Sequence, residues 1–230
     1  CAPAIVCHHC AGCMAGRHNL CRRLRFLSQP GEPGFLRERV NLPAENVLLL
    51  PPTMTDSEGS LVEPLAVALH ALVLAERVFG EDVVVFGAGP IGLLTIASLR
   101  MAGARRVWAV EPLAHRRSLA LAMGAHAAIE PEGATTEILR TTSGEGAAAT
   151  FDCATKPGTT DACLALAAPG GRVFFSGDTG PQDGLWRVVN ATPNLKYLII
   201  ETAFSNAERE IAAASRHLCP QMLAEELEKM

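Results

Sequence analysis

The fold of this chain is decided by the stretch Val83-Val84-Val85-Phe86-Gly87-Ala88-Gly89-Pro90-Ile91-Gly92, in which an apolar run leads directly into glycines spaced G-x-G-x-x-G. A short, entirely apolar run predicts a buried strand, and residues 90–101 predict an apolar helix directly behind it. This order of strand, turn and helix is the context that a dinucleotide-binding turn requires. The alternative interpretation is an ordinary strand-to-helix turn.

Each glycine of this turn has its own expected role. Gly87 permits the tight turn, Gly89 lets the backbone approach a pyrophosphate, and Gly92 lets the helix pack closely on the strand. Exposed amides at the helix start would then bind the anion. The predicted phosphate-binding residues are Gly87, Gly89, Pro90, Ile91 and Gly92.

On both sides of this turn, apolar strands alternate with helices. Further strands are predicted at residues 107–110, 127–129, 149–153, 172–176 and 197–200, and helices at residues 113–123, 135–140 and 159–167. The apolar residues between Leu61 and Leu74 predict a buried helix before the first strand, and residues 206–230 predict one or two helices broken near Pro220. This alternation predicts an α/β fold with a doubly wound parallel sheet of the Rossmann type.

An acidic residue ends the second predicted strand. Glu111 lies 24 residues after Gly87, where a carboxylate can accept hydrogen bonds from both hydroxyls of an adenosine ribose. Because a carboxylate repels a 2'-phosphate, the sequence favours NAD over NADP, although the nearby Arg116 and Arg117 could soften that preference. Arg116 is predicted as a further ribose contact. The alternative is that Glu111 is a solvated surface charge.

Half of the eight cysteines crowd into fifteen residues near the start of the chain, at Cys7, Cys10, Cys13 and Cys21. Four thiolates on a loop-rich segment are typical of a closed, tetrahedral structural zinc site. Two disulfides or an iron–sulfur cluster are the alternatives. His8, His9 and His18 are predicted to be exposed loop residues, and Cys1, Cys153, Cys163 and Cys219 to be small buried apolar side chains.

Composition excludes several classes of partner. The net charge of −4 is scattered along the chain, so no basic stripe is present and nucleic acid is not expected to bind. Apolar stretches are shorter than the ~20 residues that cross a bilayer, so no membrane span is expected. No secretory signal pattern is seen, and a cytoplasmic protein is predicted. The start at Cys1 rather than Met suggests a truncated chain.

Taken together, these motifs resemble the zinc-dependent medium-chain alcohol and polyol dehydrogenases, and most of all the branch of sorbitol, L-iditol and L-threonine dehydrogenases. The resemblance covers nearly the whole chain and is carried by the cysteine pattern, by Val62-Glu63-Pro64-Leu65-Ala66, by the glycine turn and by the acidic strand end. It implies that Glu63 lies at the catalytic zinc, directly or through water. Without it, Glu63 would be a charge that favours the helix macrodipole.

The resemblance also implies an organisation of the chain. Residues 1–62 would be part of a GroES-like catalytic domain with a zinc lobe, residues 63–204 a dinucleotide-binding domain, and residues 205–230 the start of a return to the catalytic domain. Ser176 and Gly177 would line the nicotinamide half of the cofactor, or else form a plain turn at the strand end. The upstream ligands of the catalytic zinc are missing, which again suggests truncation.

The implied function is hydride transfer between a secondary alcohol or polyol and NAD, with zinc as structural metal and, in the complete protein, as catalytic metal. Pairing through strand 197–200 would give a homodimer or homotetramer. The alternative is a non-catalytic, zinc-stabilised module that binds NAD and a protein partner.

Overall fold

The computed structural model describes residues 1–28, 31–32, 34–156, 158–175, 181, 183–191, 206, 209–215 and 217–229. Two compact units make up the chain, Cys1–Ser60 and Leu61–Met230. The division expected after residue 62 lies two residues from this boundary.

The first unit has little regular structure. Its described elements are β1 (Ala4–Ile5), α1 (Ala11–Met14), β2 (Arg25–Phe26) and α2 (Asp56–Ser60), with short 3-10 turns at His18–Leu20 and Ala44–Asn46. The strands β1 and β2 pair antiparallel. The buried Asn46 side chain donates hydrogen bonds to the carbonyl groups of Ala2 and Ala4, so one amide ties residues far apart in sequence. Side-chain contacts of this kind replace a continuous apolar core.

The second unit is built on a parallel sheet. Its strands are β3 (Asp82–Phe86), β4 (Arg106–Val110), β5 (Ala127–Ile129), β6 (Ala147–Asp152) and β7 (Ala167–Phe175). Its helices are α3 (Val62–Ala75), α4 (Pro90–Met101), α5 (Ala114–Ala122), α6 (Pro131–Thr141), α7 (Thr159–Leu166), α8 (Asp183–Ala191), α9 (Arg209–Ser215) and α10 (Pro220–Leu227). The described strands lie in the order β5-β4-β3-β6-β7, all parallel. This is the doubly wound order, so the predicted fold class is confirmed.

Alternate side chains of the central strand β3 enter cores on the two faces of the sheet. Val83 and Val85 pack with side chains of α4 on one face. On the other face, Val84 and Phe86 pack with Trp108 and with side chains of α6 and α7. Because β3 is buried on both faces, it is apolar throughout after Asp82, as expected for the centre of a parallel sheet.

At the amino end of β3, Asp82 is held by two arginines. Arg105 donates two hydrogen bonds to its carboxylate, at 2.9 and 2.6 Å, and Arg106 donates two more. The guanidinium of Arg106 also lies 4.9 Å from the Trp108 ring centre. A 430 Å³ cavity opens beside this cluster, at the edge of the sheet opposite the glycine turn. The Asp82 carboxylate and both guanidinium groups of the cluster are paired with one another, and the cluster joins the amino ends of β3 and β4.

Several sequence predictions differ from the structure. The predicted buried helix, α3, buries Ala68 and Ala75 but leaves Val73 72% exposed, so the expectation of a buried helix is wrong. The strand predicted at residues 172–176 begins five residues earlier, because β7 spans Ala167–Phe175 and a register shift beside β6 accommodates the extra residues. Cys1 is exposed and Cys153 is half-buried, whereas Cys163 and Cys219 are buried as predicted. Strand 197–200, Ser176 and Gly177 lie outside the described residues.

The last helices pack through polar as well as apolar contacts. Trp186 of α8 donates its indole N–H to the Glu226 carboxylate of α10 at 2.5 Å. Pro220 is the first residue of α10, as the predicted break implies. In the part of the chain that is described, no helix combines the length and apolar character needed to span a bilayer.

Candidate dinucleotide crevice and metal centre

The glycine turn joins β3 to α4 at the point where the strand order reverses. Gly87 has φ +89°, and a β-carbon there would lie 3.0 Å from Ala154, so both the backbone angle and the packing require glycine. A β-carbon on Gly92 would lie 1.9 Å from the Gly87 carbonyl oxygen. These two residues therefore have the local roles expected for a tight turn and for close packing of helix on strand.

Gly89 is different, because no contact with a described residue requires it to be glycine. Its φ of −74° suits any residue, and a β-carbon there would meet no atom of the described residues within 4 Å. The space above Gly89 is thus open on the side where a pyrophosphate would approach. Behind it, α4 begins at Pro90, and the amides of Ile91 and Gly92 lie in the first turn, where a helix offers donors without intrahelical acceptors.

Glu111 is buried rather than solvated, which contradicts the surface-charge alternative. Only 3% of it is exposed, and its carboxylate accepts a hydrogen bond from the Ala88 amide at 2.8 Å and from the Leu113 amide at 3.0 Å. Because Ala88 lies inside the glycine turn, Glu111 braces that turn. Each carboxylate oxygen can accept a second hydrogen bond, so contact with a ribose remains chemically open.

The arginine that contacts the Glu111 segment is Arg117. Its guanidinium donates to the carbonyl groups of Glu111 and Pro112 at 2.9 and 2.6 Å and pairs with Glu130 at 2.6 Å. Arg116 is half-buried, and its side chain donates no hydrogen bond to any residue that the structure describes. Arg116 as a ribose contact stays a prediction. The role of Arg117 was missed because its acceptors are backbone groups, which leave no mark in sequence.

The loop after β6 faces the glycine turn, and sequence reasoning gave it no role. Asp152 ends β6 and is almost fully buried, and its carboxylate accepts hydrogen bonds from the amides of Ala154 and Thr155 at 3.1 and 2.8 Å and from the Thr159 hydroxyl at 2.7 Å. Thr155 has φ +47°, which is rare for a β-branched residue and costs about 1–3 kcal/mol. No short motif marks this loop, so only the strand order could have indicated it.

Four thiols of the first unit come together as the spacing predicts. The sulfur atoms of Cys7, Cys10, Cys13 and Cys21 all lie within 4.8 Å of one another, and all eight cysteines are free thiols. Sulfur atoms about 2.3 Å from one tetrahedral zinc would be about 3.8 Å apart. The Cys7 and Cys13 sulfurs are 4.0 Å apart. The four sulfur ligands and their spacing therefore fit zinc. The disulfides that were the alternative are not present among these cysteines.

The thiols of this cluster differ in acidity. Hydrogen bonds from the backbone amides of Cys13 and Arg22 lower the pKa of Cys10 to about 6. Burial, together with neighbouring thiols, raises the pKa of Cys13 to about 12. Metal binding would require all four as thiolates, so it would release protons. His8, His9 and His18 are exposed, as predicted, and lie outside the cluster.

Glu63 lies in the first turn of α3 and is exposed. His70, about two turns later on roughly the same face of the helix, is exposed as well. Apart from the four cysteines, the described residues bring no three metal-binding side chains together. Glu63 as a ligand of the catalytic zinc therefore stays a prediction, and its position at a helix start equally suits a charge that favours the macrodipole.

Comparison with known proteins identifies relatives of both units. The family described as zinc-binding dehydrogenase matches residues 90–218, more than half of the chain. A protein named probable D-xylulose reductase A from Emericella nidulans is 36% identical over 79% of this chain and 52% of its own length. Sorbitol dehydrogenase from Arabidopsis thaliana is 34% identical over 76% of this chain and 50% of its own.

Solved structures agree with this fold. An Escherichia coli oxidoreductase of unknown specificity has a TM-score of 0.70 at 31% identity, covering 76% of this chain and 51% of that one. A dehydrogenase from Sinorhizobium meliloti 1021, whose structure contains NADP, has a TM-score of 0.67 at 32% identity, covering 86% of this chain and 55% of that one. The chain thus spans about half the length of the relatives it matches.

Proposed function

Because the chain belongs to the zinc-binding dehydrogenase family, we propose that its second unit binds NAD at the crevice between β3 and β6, and that Cys7, Cys10, Cys13 and Cys21 of its first unit hold a structural zinc. The observation that carries the proposal is the open space at Gly89, which lies beside helix amides at the switch point of a doubly wound sheet. Among the described residues, contacts require glycine at positions 87 and 92, whereas at position 89 glycine leaves space that a ligand could fill.

NAD is proposed over NADP because of the Glu111 carboxylate. A 2'-phosphate placed where Glu111 accepts ribose hydroxyls would meet a buried negative charge, which is costly in a region shielded from water. Arg117 donates to the carbonyl groups of Glu111 and Pro112 and pairs with Glu130, so its donors are already engaged within the protein. Arg116 remains the proposed additional ribose contact, and Ser176 and Gly177 are proposed to line the nicotinamide half.

For the complete protein, we propose hydride transfer between a secondary alcohol or polyol and NAD. The relatives named for D-xylulose and sorbitol support a polyol, and they share about half of their length with this chain. NAD, when bound, supplies the hydride acceptor. The residues of this chain hold its phosphates at the glycine turn and its ribose at Glu111. Residues 1–62, 63–204 and 205–230 are proposed as parts of the catalytic domain, the cofactor domain and the return to the catalytic domain.

Glu63 is proposed to contribute a carboxylate at the catalytic zinc. The described residues give it no companion ligands, so they do not by themselves fit a catalytic metal, and no reaction step follows from Glu63 alone. A cytoplasmic location and pairing into a homodimer or homotetramer are proposed as well. The four thiols gathered at Cys7, Cys10, Cys13 and Cys21, which suit a metal better than disulfides, support a reducing compartment.

The test combines metal content by mass spectrometry with calorimetric titration of NADH on the same purified chain. One zinc per chain together with NADH binding is the expected result. Gly89→Val should weaken NADH binding by about tenfold or more, because the added methyl groups fill the pyrophosphate space, while stability changes by less than about 0.5 kcal/mol.

Ala122→Val is the matched control, since it adds similar bulk at an exposed position, the last residue of α5. It should leave the affinity for NADH unchanged. Unchanged affinity in Gly89→Val would overturn the assignment of the turn. A chain that holds no zinc and binds no NADH would overturn both halves of the proposal.

A further inference from the structure

The loop that follows β6 forms the second wall of the crevice, opposite the glycine turn. Asp152, the last residue of β6, pairs in register with Phe86, the last residue of β3. The Cys153 amide donates to the Phe86 carbonyl at 2.8 Å, and Ala154 lies 3.0 Å from where a Gly87 side chain would begin. Residues 153–156 therefore stand at the switch point, where ligands of such sheets bind.

The Asp152 carboxylate is satisfied by groups of its own loop. One oxygen accepts from the amides of Ala154 and Thr155, and the other accepts from the hydroxyl groups of Thr159 and Thr160, at 2.7 and 3.4 Å. With 1% of Asp152 exposed, these bonds form where water does not compete. A buried carboxylate with this many local donors favours a single loop conformation.

That conformation includes a backbone angle that the sequence disfavours. Thr155 is β-branched and has φ +47°, in the left-handed region. Its amide donates to Asp152 at 2.8 Å, and the next residue, Lys156, donates its amide to the Thr159 hydroxyl at 3.2 Å. Without the carboxylate, the loop would relax toward an angle that suits threonine, and Ala154 would shift relative to Gly87.

We propose that Asp152 is a positioning residue for the cofactor: its carboxylate holds residues 153–156 in a strained turn that sets the width of the crevice facing the glycine turn. Residues 153–156 are then ordered before the dinucleotide binds, so less conformational entropy is lost on binding. This inference rests on the proposed binding of NAD at the crevice. It assigns to Asp152 no contact with the cofactor and no part in the chemistry.

The test measures NADH affinity through energy transfer from the protein's tryptophans to the reduced nicotinamide. Asp152→Asn should weaken binding on the order of tenfold, because an amide cannot accept from all four donors. The matched control is Asp82→Asn, which changes an equally buried aspartate at the opposite end of the neighbouring strand. It should lower stability but leave NADH affinity within about twofold.

Two further variants separate positioning from general stability. Thr159→Ala removes one donor and should weaken NADH binding by a smaller factor than Asp152→Asn, which keeps the test usable if Asp152→Asn folds poorly. Adding Thr155→Gly to Asp152→Asn should recover part of the affinity, because glycine adopts the left-handed angle without the carboxylate. Recovery of stability without recovery of affinity would count against the proposal.

The results that would contradict the role of Asp152 differ from those that would contradict NAD binding itself. If the unaltered chain binds NADH and Asp152→Asn binds it equally well, the positioning role is wrong and the cofactor site stands. An equal loss of affinity in Asp152→Asn and Asp82→Asn would also overturn the positioning role, because stability alone would explain both. An unaltered chain that binds no NADH would overturn the proposed function, and this inference with it.

Discussion

The two units of this chain become ordered in different ways. Among the described residues of the first unit, four side chains are buried, and they belong to Cys13, Cys21, Leu27 and Asn46. In the second unit, all five residues of β3 are buried, and both faces of the sheet carry apolar clusters. A region that buries so little apolar surface gains its stability from specific bonds, whereas the sheet gains it from packing.

The largest predicted effect comes from removing the metal from the first unit. Chelation, or Cys13→Ser, should cost that unit the binding free energy of a structural zinc, about 10–16 kcal/mol in small zinc domains. Amide hydrogen exchange should then become fast over residues 1–28 and remain slow in β3, β4 and β6. Zinc per chain, measured on the same sample, should fall from one to zero.

Cys163→Ala is the control for this experiment, since Cys163 is equally a buried cysteine but lies in the second unit. It should keep the zinc and weaken the second unit by leaving a small cavity. If chelation instead accelerated amide exchange throughout the sheet, the stability of the second unit would depend on the metal of the first, and the prediction would be wrong.

The same contrast explains how far sequence could predict the fold. Local patterns were sufficient in the second unit, where residues 90–101 and 127–129 were predicted with the bounds that α4 and β5 have. In the first unit, the cysteine spacing predicted the cluster because metal ligands must be specific residue types. The expectation of a buried α3 was wrong because an apolar composition shows only that a helix can be buried. It does not show which other elements pack against each face of the helix.

In the candidate site, prediction failed where contacts are long-range or involve backbone groups. The carboxylate of Glu111 was expected from its spacing, but its bond to Ala88 depends on two strands being neighbours. Asp152 carries no motif, and its importance follows from β6 lying beside β3 in the sheet. The contacts of Arg117 were not foreseen because carbonyl acceptors cannot be recognised from residue types.

A smaller effect is predicted for the ion cluster at the amino edge of the sheet, and it depends on pH. Burial alone would raise the pKa of Asp82, but the hydrogen bonds that Arg106 and Arg105 donate outweigh it and hold that pKa below its usual value. Stability from Asp82 is therefore fully present above the unfolded pKa of about 4 and is lost as the pH falls through the lower, folded value.

Asp82→Asn should accordingly lower the free energy of unfolding of the second unit by about 1.5–3 kcal/mol at pH 7, the range for hydrogen bonds to a charged group. The difference from the unaltered chain should shrink below about pH 4, as urea unfolding at several pH values would show. Glu137→Gln, which changes an exposed carboxylate on α6, should show no such difference. If the difference in free energy of unfolding between Asp82→Asn and the unaltered chain were equally large at low pH, packing rather than charge would explain the contribution of Asp82.

The smallest effect is predicted for a helix cap in the first unit. Thr55 and Glu58 form a reciprocal capping box at the start of α2: the Thr55 hydroxyl accepts from the Glu58 amide at 3.2 Å, and the Glu58 carboxylate accepts from the Thr55 amide at 2.8 Å. Thr55→Ala should cost about 1 kcal/mol, seen as roughly fivefold faster exchange of the α2 amides. Ser57→Ala, in the same exposed helix, is the control and should change exchange little. If Thr55→Ala also released zinc, cap and metal would be coupled, whereas unchanged zinc content would show that the helix cap and the metal stabilise the first unit independently of each other.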